Sequence, residues 1–205
     1  MRLVLATRNP GKVAELDARL GPAGIELSTA HDHGAPEVDE DAGTLRGNAE
    51  KKARALYRHT GLPALADDTG LEVDALGGRP GVHSARYAGP DADPGANRAL
   101  LLRELDGAQD RAARFRTVLA FADGEGVRCF DGVCEGAVTT EPRGEGGFGY
   151  DAVFRPSDGD GRTFAQMDAD AKNRISHRGR ALDAFAAWLA DRPSGGASAP
   201  APFHP

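Results

Sequence analysis

Short apolar runs alternate with amphipathic stretches along this chain, which is the pattern of a mixed α/β protein. Residues 2–6 form a Leu- and Val-rich run that predicts a buried strand, and residues 25–28 predict a second one. Between them, a Pro-Gly pair precedes apolar residues at helical spacing, Val13, Leu16 and Leu20. The chain is therefore predicted to start as strand, loop, helix and strand.

The middle and end of the chain continue this alternation. Thr44 is a suitable N-cap for a helix that ends near His59, and residues 64–66 predict a short strand that leads into a polar turn, DDTG, at residues 67–70. The remaining predictions are strands over 71–76, 113–122 and 127–139, helices over 94–105 and about 178–190, and a glycine-rich segment over 144–154 that ends as a strand. This mixture predicts an α/β fold, with a sheet core flanked by helices.

Composition and charge place the chain among soluble globular proteins. It has 205 residues, of which 40% are hydrophobic, and 25 Lys and Arg against 31 Asp and Glu give a net charge of −6. This size suits a single domain, predicted over residues 1–192, whereas the Pro-, Ala-, Gly- and Ser-rich residues 193–205 predict a disordered tail. An acidic chain is poorly suited to long nucleic acids, but a local basic site can still bind a free nucleotide.

Neither the cysteines nor the apolar runs indicate an extracellular or membrane protein. Cys129 and Cys134 form no disulfide framework and no zinc pattern, which fits a reducing cytoplasm. No apolar run reaches the roughly 18 residues expected of a membrane span, and the N-terminal run is too short for a signal peptide. We therefore expect a cytoplasmic protein without a membrane segment.

The rarity of lysine and asparagine singles out a few positions. Beside 21 arginines the chain has only four lysines, Lys12, Lys51, Lys52 and Lys172. It also has only four asparagines, Asn9, Asn48, Asn97 and Asn173. Because arginine cannot replace lysine as a compact point charge, lysines that persist against this bias are candidates for function, the alternative being chance.

A first candidate site is the pattern Thr7-x-Asn9-x-x-Lys12, between a predicted strand and a predicted helix. Helix N-termini bind anions through free backbone N–H groups, and Lys12 adds a full charge one turn in, so the pattern suits a phosphate. Its spacing differs from that of a Walker loop. The alternative is a plain capped helix with a solvated lysine.

A second candidate is the pair of carboxylates Asp67 and Asp68, at the end of the predicted short strand. Adjacent carboxylates repel each other unless a cation or hydrogen-bond donors compensate them. Mg²⁺ is a suitable cation, because it binds one or two carboxylates together with substrate phosphate oxygens. The acidic run over residues 37–41 could add another carboxylate, although a solvated loop accounts for most of its members.

Two further segments suit the recognition of a nucleobase. Glycines flank Phe148, which leaves its ring accessible for stacking on a base, and a hairpin with a core Phe and Tyr is the equally supported alternative. Ser176, His177 and Arg178 gather donors at the start of the last predicted helix, which suits purine carbonyl oxygens. The alternative there is a Ser cap beside a solvated arginine. A serine hydrolase is disfavoured, because the sequence has no GxSxG elbow.

Five motifs, in this order, resemble the Ham1-type inosine triphosphate pyrophosphatase family from Leu3 to about Leu189. They are LATRNPGKVAEL, the NAxxKA of residues 48–53, LADDTGLEVDALGGRPGVHSARYAG, GFGYDAVF and KNRISHRGRAL. The resemblance implies a long central mixed β-sheet with flanking helices, forming two lobes around a nucleotide cleft. It also implies a homodimer and Mg²⁺-dependent hydrolysis of ITP, dITP and XTP to the monophosphate and pyrophosphate, which cleanses the nucleotide pool.

The resemblance further implies a role for individual residues. The implied triphosphate contacts are Thr7, Asn9, Lys12 and Lys52. Glu40 and Asp68 are the implied Mg²⁺ ligands, and Asp68 is also the implied catalytic base. The implied base and sugar contacts are Thr69, Phe148, Gly149, Tyr150, Asp151, Lys172, Ser176, His177 and Arg178.

Two positions depart from the family pattern, and two other functions stay open. His83 stands where the family usually has Tyr, near Arg86, and Ala152 stands where Pro usually follows the Tyr-Asp pair. One alternative function is a nucleotide pyrophosphatase with a different base preference. The other is a nucleotide-binding module without catalysis, which the intact acidic residues argue against, because a binder has little use for carboxylates beside a triphosphate.

Overall fold

A computed structural model of the chain describes residues 1–91 and 93–192. The predicted tail over residues 193–205 lies outside the described residues. The chain divides into two compact units. Unit 1 comprises Met1–Asp68, Val118–Phe130 and the described residues from Ala181 onward, and unit 2 comprises Thr69–Thr117 and Asp131–Arg180.

Helices and strands alternate along the chain. The helices are α1 Pro10–Leu20, α2 Leu45–Thr60, α3 Pro94–Glu104, α4 Ala169–Ile175 and α5 His177–Ala190. The strands are β1 Arg2–Leu5, β2 Glu26–Thr29, β3 Ala64–Val73, β4 Pro80–Gly81, β5 Ala112–Asp123, β6 Gly126–Val138 and β7 Phe154–Pro156. Short 3-10 turns join several of these elements.

The strands form a mixed sheet. Over residues 1–91 and 93–192 the hydrogen-bonded order is β2-β1-β3-β5-β6-β7, with β4 paired to β3. Strand β1 pairs in parallel with both β2 and β3, whereas the β3–β4 and β6–β7 pairs are antiparallel. Strands β3, β5 and β6 contribute residues to both units. The predicted α/β fold with a mixed sheet and flanking helices is confirmed.

Each unit has its own hydrophobic core. In unit 1, Leu16 and Leu20 of α1 pack in one cluster with Phe185 of α5, because residues four apart on a helix lie on the same face. In unit 2 the core is aromatic, and the ring centroids of Phe115 and Phe154 lie 4.7 Å apart. The helical spacing in the sequence thus identified the buried face of α1 correctly.

Strand β3 corrects one prediction. Residues 67–70 are not a turn, since β3 runs through them without interruption, and residues 74–76 form a 3-10 turn instead of a strand end. Gly70 allows β4 to approach β3 closely, because a Cβ atom at this position would overlap the carbonyl oxygen of Gly81 on β4. The two aspartates are tolerated within the strand because each has a cationic partner, as described below.

The last predicted helix, about 178–190, is confirmed as α5, which begins at His177. Lys172 belongs to the separate short helix α4, which was not predicted from the sequence. Asp168 caps α4 by accepting the backbone N–H of Ala171 at 2.7 Å. By contrast, the predicted cap at Thr44 is confirmed, since its Oγ1 accepts the N–H of Gly47 at 3.1 Å.

Candidate active site

The loop between β1 and α1 forms a helix cap. Oδ1 of Asn9 accepts the backbone N–H groups of Gly11 and Lys12 at 2.9 and 3.4 Å. Oγ1 of Thr7 in turn accepts the N–H of Asn9 at 3.2 Å. The capped helix of the alternative interpretation is therefore present, and its N-terminus also has the polarity that an anion requires.

Lys12 is not solvated, so that part of the alternative is wrong. Its side chain is 17% exposed, and Nζ lies 2.9 Å from Oδ2 of Asp67, whose side chain is 1% exposed. A carboxylate this deeply buried requires a charged or hydrogen-bonding partner. Lys12 supplies one, although the two residues belong to different elements, α1 and β3.

Lys52 of α2 binds several oxygens at once. Its Nζ donates to Oε1 of Glu40 at 2.6 Å, to the backbone carbonyl of Asp67 at 2.7 Å and to Oδ1 of Asp68 at 3.3 Å. The side chains of Lys52 and Asp68 are only 10% and 8% exposed. The structure thus brings Glu40, Lys52 and Asp68 together from the 37–42 segment, α2 and β3.

The alternation of a β-strand explains how two adjacent aspartates can both be buried. Successive side chains of a strand point to opposite faces of the sheet. Asp67 meets Lys12 and Asp68 meets Lys52, so each carboxylate has its own cation. The repulsion anticipated for the pair is relieved in this way.

Burial changes the proton affinities in this cluster. It raises the pKa of Asp68 above its ordinary value, and the charge of Lys52 offsets this only in part. For Lys52, burial favours a lower pKa, but the surrounding carboxylates outweigh it and the pKa is raised. Lys52 is therefore a cation at neutral pH, whereas Asp68 takes up a proton more readily than an exposed aspartate does.

The acidic run before α2 divides into exposed members and one inward member. Glu37 pairs with Arg8 and Asp41 pairs with Lys51, and the side chains of these two acids are 78% and 69% exposed. Exposed pairs contribute little to stability. Glu40 differs from them because it binds Lys52, so the solvated-loop interpretation holds for these neighbours but not for Glu40.

Asn48 is a site residue to which the sequence analysis gave no role. It is completely buried, its Nδ2 donates to Oδ2 of Asp68 at 3.1 Å, and its Oδ1 accepts the N–H of Ala42 at 3.0 Å. Asn48 therefore joins the segment that contains Glu40 to strand β3. The rarity of asparagine in the sequence was a signal that could have found it.

The charge and donor set of this cluster suit a Mg²⁺ ion shared with a substrate. Lys12 is matched by the carboxylate of Asp67, whereas Lys52 faces two carboxylates, those of Glu40 and Asp68, which leaves an excess of negative charge beside Lys52. Glu40 and Asp68 converge on one cationic atom, Nζ of Lys52. In the part of the chain that the structure describes, no three His, Cys, Asp or Glu side chains form a complete metal cage. Mg²⁺ needs no such cage, because it takes its remaining ligands from water and phosphate.

Asp151 organises the predicted base-recognition segment in unit 2. Its Oδ2 accepts the backbone N–H of Phe148 at 2.8 Å and a proton of Lys172 Nζ at 2.7 Å. The side chains of Lys172 and Asp151 are 7% and 5% exposed. Gly147 makes this arrangement possible, because its φ is 68° and a Cβ atom there would overlap the Asp151 carboxylate.

The ring of Phe148 lies beside two cations. Nζ of Lys172 and the guanidinium carbon of Arg178 are 4.8 and 5.6 Å from its centroid. Phe148 is half-buried, whereas Tyr150 is a buried member of the core. The alternative of a core pair therefore applies to Tyr150 alone, and Phe148 keeps part of its surface accessible.

Two further contacts fix the same segment. Tyr150 donates its hydroxyl to the carbonyl of Ser84 at 2.9 Å, and the carbonyl of Gly149 accepts from Arg98 at 2.7 Å. Burial raises the pKa of Tyr150, which keeps the hydroxyl protonated as a donor. Residues 148–151 are thus held by both backbone and side-chain bonds.

The donors Ser176, His177 and Arg178 are all buried, with 1%, 3% and 1% exposure. Ser176 Oγ accepts the backbone N–H three residues further on at 3.0 Å, so the predicted cap exists. Arg178, however, is not a solvated arginine, since it donates to Oγ1 of Thr69 at 3.1 Å. His177 stacks on Phe115, with ring centroids 4.5 Å apart and planes 18° from parallel.

Two residues of β5 that were not predicted from the sequence also support these donors. Oγ1 of Thr117 lies 2.6 Å from Oγ1 of Thr69, and Thr117 is completely buried. Phe115 provides the surface on which His177 stacks. No signal distinguished them, because Phe and Thr are ordinary residues of a β-strand.

The two departures from the family pattern lie next to these contacts in the sequence. His83 is exposed and directly precedes the short turn Ser84–Arg86. Ala152 is half-buried, and its carbonyl accepts the N–H of Arg143 at 2.7 Å. Since this contact uses only the backbone, it does not require the proline usual at this position.

The fold and the two clusters define a class of protein: an α/β protein with one cluster suited to a polyphosphate and another suited to an aromatic base. A family model described as the Ham1 family matches residues 3–188. The chain belongs to the Ham1 family. Over the described residues, 1–91 and 93–192, no helix has both the length and the apolar character that crossing a bilayer demands.

Named relatives and solved structures agree with this family. The chain is 53% identical over 182 residues to a dITP/XTP pyrophosphatase of Syntrophobacter fumaroxidans. This match covers 88% of this chain and 78% of the relative. The structure of a HAM1 protein from Coxiella burnetii matches with a TM-score of 0.86 and 39% identity over 94% of this chain and 100% of that one. A nucleoside-triphosphatase / dITP/XTP pyrophosphatase from Mycobacterium abscessus matches with a TM-score of 0.71 and 42% identity over 90% and 98%.

Proposed function

We propose that this protein hydrolyses ITP, dITP and XTP to the nucleoside monophosphate and pyrophosphate with the help of Mg²⁺. The observation that supports this most strongly is the set of ion pairs that joins Lys12 to Asp67 and Lys52 to Glu40 and Asp68, in which both aspartates are buried. The relative in Syntrophobacter fumaroxidans, a dITP/XTP pyrophosphatase, supports the substrate class. Such an activity would remove deaminated purine nucleotides from the triphosphate pool.

In this proposal the residues of unit 1 hold the triphosphate. Lys12 and Lys52 supply positive charge, and the N-terminus of α1, with Thr7 and Asn9, supplies hydrogen bonds to phosphate oxygens. Both lysines already bind carboxylates, so substrate binding exchanges some of these contacts for contacts to phosphate.

Glu40 and Asp68 would hold Mg²⁺. When bound, the ion supplies positive charge that stabilises the charge developing on the phosphate oxygens. Water attacks the α-phosphorus, the bond to the pyrophosphate oxygen breaks, and Asp68 accepts the proton of the water. Asp68 is suited to this position because its two carboxylate oxygens are held by Asn48 and Lys52.

The residues of unit 2 would recognise the base and sugar. Phe148 stacks on the purine, and donors of the Ser176–Arg178 segment bind the carbonyl oxygen at C6. Contacts from the flanking segments complete this set: Thr69, Gly149, Tyr150, Asp151 and Lys172. Adenine presents an amino group at C6, which leaves a buried donor unpaired, so ATP is a poor substrate.

We also propose that the protein is a cytoplasmic homodimer. The support for the dimer is the family resemblance, and the support for the compartment is the pair of free cysteines, Cys129 and Cys134. Light scattering on the purified protein tests the dimer, with the mass of one chain as the contradicting result.

Product analysis tests the proposed reaction. Purified protein is incubated with ITP, dITP, XTP, a pyrimidine triphosphate and a methylated purine triphosphate, each with and without Mg²⁺. The proposal expects monophosphate and pyrophosphate from the first three, only when Mg²⁺ is present. Preferential hydrolysis of the pyrimidine or methylated nucleotide would indicate a pyrophosphatase of different base preference, and binding without any product would indicate a binding module.

A further inference from the structure

Two buried asparagines occupy equivalent positions in different helices. Asn48 is the fourth residue of α2 and Asn97 is the fourth residue of α3. They are 0% and 4% exposed. Each accepts a backbone N–H from the segment that precedes its helix: Asn48 from Ala42 at 3.0 Å, and Asn97 from Ala88 at 2.8 Å.

The two side chains differ in what their N–H groups bind. Nδ2 of Asn97 donates to a backbone carbonyl, that of Ala85, at 3.0 Å. Nδ2 of Asn48 donates to the carboxylate of Asp68 at 3.1 Å. Asn97 thus bridges two backbone groups of unit 2, whereas Asn48 bridges a backbone group and an acidic side chain of unit 1.

The orientation of the Asn48 amide follows from its neighbours. Rotating the amide by half a turn would set its oxygen against the Asp68 carboxylate and its NH₂ against the N–H of Ala42. Both contacts would then be repulsive. The donor must therefore face Asp68, and the acceptor must face Ala42.

These contacts constrain both proposed metal-binding carboxylates. Asp68 is held on one oxygen by Asn48 and on the other by Lys52, which fixes the plane of the carboxylate. Ala42 lies two residues after Glu40, so the bond to its N–H also limits the position of Glu40. Removing Asn48 would free both groups at once.

We propose that Asn48 is a positioning residue that holds the Asp68 carboxylate and the Glu40 segment in the arrangement that binds the divalent cation and its triphosphate. This inference rests on the proposed function. It assigns Asn48 no contact with the substrate, since the residue acts through Asp68 and Glu40. Residues that orient metal ligands typically contribute about 10- to 100-fold to metal affinity or activity.

The test compares Asn48→Ala with the matched control Asn97→Ala. Both remove a buried carboxamide and its two hydrogen bonds from the same helix position. For each variant one measures kcat and KM for ITP, the Mg²⁺ concentration that gives half the maximal rate, and the rise in melting temperature that Mg²⁺ alone produces. Circular dichroism establishes the folded fraction to which the rates are corrected.

We expect Asn48→Ala to lower kcat or to raise the half-saturating Mg²⁺ concentration by about 10- to 100-fold, and to weaken the Mg²⁺-dependent rise in melting temperature. Asn97→Ala should lower the melting temperature but leave kcat and the Mg²⁺ requirement within about threefold of wild type. The inference is overturned if Asn48→Ala also stays within that range, or if both variants lose activity equally.

A second variant covers the case in which Asn48→Ala does not fold. Asn48→Asp keeps an acceptor for the Ala42 N–H but replaces the donor toward Asp68 by an oxygen and adds a negative charge there, and we expect kcat to fall at least about tenfold. Wild-type kcat would overturn the inference. If wild-type protein fails to hydrolyse ITP, the proposed function fails, and the role of Asn48 is then tested by the rise in melting temperature that Mg²⁺ produces. The inference is overturned if wild-type protein shows no such rise, or if the Asn48 variant shows the same rise as wild type.

Discussion

Two buried lysines, one in each unit, have the same side chain but contact different groups. Lys52 of unit 1 binds two carboxylates and a backbone carbonyl within 3.3 Å. Lys172 of unit 2 binds the carboxylate of Asp151 at 2.7 Å and lies 4.8 Å from the centroid of the Phe148 ring. The first environment is ionic and the second is largely aromatic.

This difference matches two tasks in the proposed reaction. An excess of carboxylates beside lysines is suited to a polyphosphate that arrives with a divalent cation. A cation beside an aromatic ring is suited to a base that stacks and accepts hydrogen bonds. Strand β3 passes from one environment to the other at consecutive residues, since Asp68 belongs to unit 1 and Thr69 to unit 2.

The largest effect is expected from removing the charge of Lys52. Lys52→Met leaves Glu40 and Asp68 without their shared cation, and breaking a buried ion pair costs about 3–5 kcal/mol. The free energy of unfolding, measured by chemical denaturation, should fall by this amount. Lys51→Met is the control, because Lys51 pairs with the exposed Asp41 and its replacement should change stability by less than about 1 kcal/mol. Equal losses in the two variants would contradict the ionic description of unit 1.

Asp68→Asn should reduce turnover of ITP by at least about 100-fold, because the amide cannot accept the proton of the attacking water. Pyrophosphate release at saturating Mg²⁺ measures the effect. Asp41→Asn alters an exposed neighbouring acid and should retain full activity. Turnover within about tenfold of wild type would show that Asp68 is not the base.

Phe148→Ala should weaken substrate binding more than it slows the chemical step. Base stacking on an aromatic side chain contributes about 1–3 kcal/mol, so KM for ITP should rise about 5- to 150-fold while kcat changes less. Phe148→Tyr keeps an aromatic face and serves as the control. A decrease in kcat with unchanged KM would remove Phe148 from the binding of the base.

The smallest effect is expected from Thr117→Val. This change removes the hydroxyl 2.6 Å from Thr69, whose oxygen also accepts from Arg178. One buried hydrogen bond contributes about 0.5–1.5 kcal/mol, and the preference for ITP over ATP should fall about 2- to 12-fold. Thr117→Ser keeps the hydroxyl and should keep the preference. An unchanged preference in Thr117→Val would show that Thr117 does not support Arg178.

The comparison of the two units also shows what the sequence could predict. Helical spacing and caps predicted α1, α2 and their boundaries, because amphipathic periodicity and N-cap chemistry are local properties. Local rules failed at β3, where the polar composition of residues 67–70 suggested a turn. The chain stays extended there because Lys12 and Lys52, distant in sequence, compensate the aspartates.

The residues of the candidate site could be predicted where they belong to short sequence motifs. Rare lysines and the family motifs pointed to Lys12, Lys52 and Lys172. Motifs gave no role to Asn48 and no indication of Thr117, because the importance of each residue depends on a partner from another element. Helix α4 was missed because it has only seven residues, too few to display a periodic apolar face.

The proposed reaction selects a purine with a C6 carbonyl and cleaves its triphosphate. The most direct test is kcat/KM for ITP and for ATP, measured by pyrophosphate release with the same enzyme at saturating Mg²⁺. We expect a ratio of at least about 100 in favour of ITP, because a mismatched base leaves buried donors unpaired. Comparable values for the two nucleotides would contradict it.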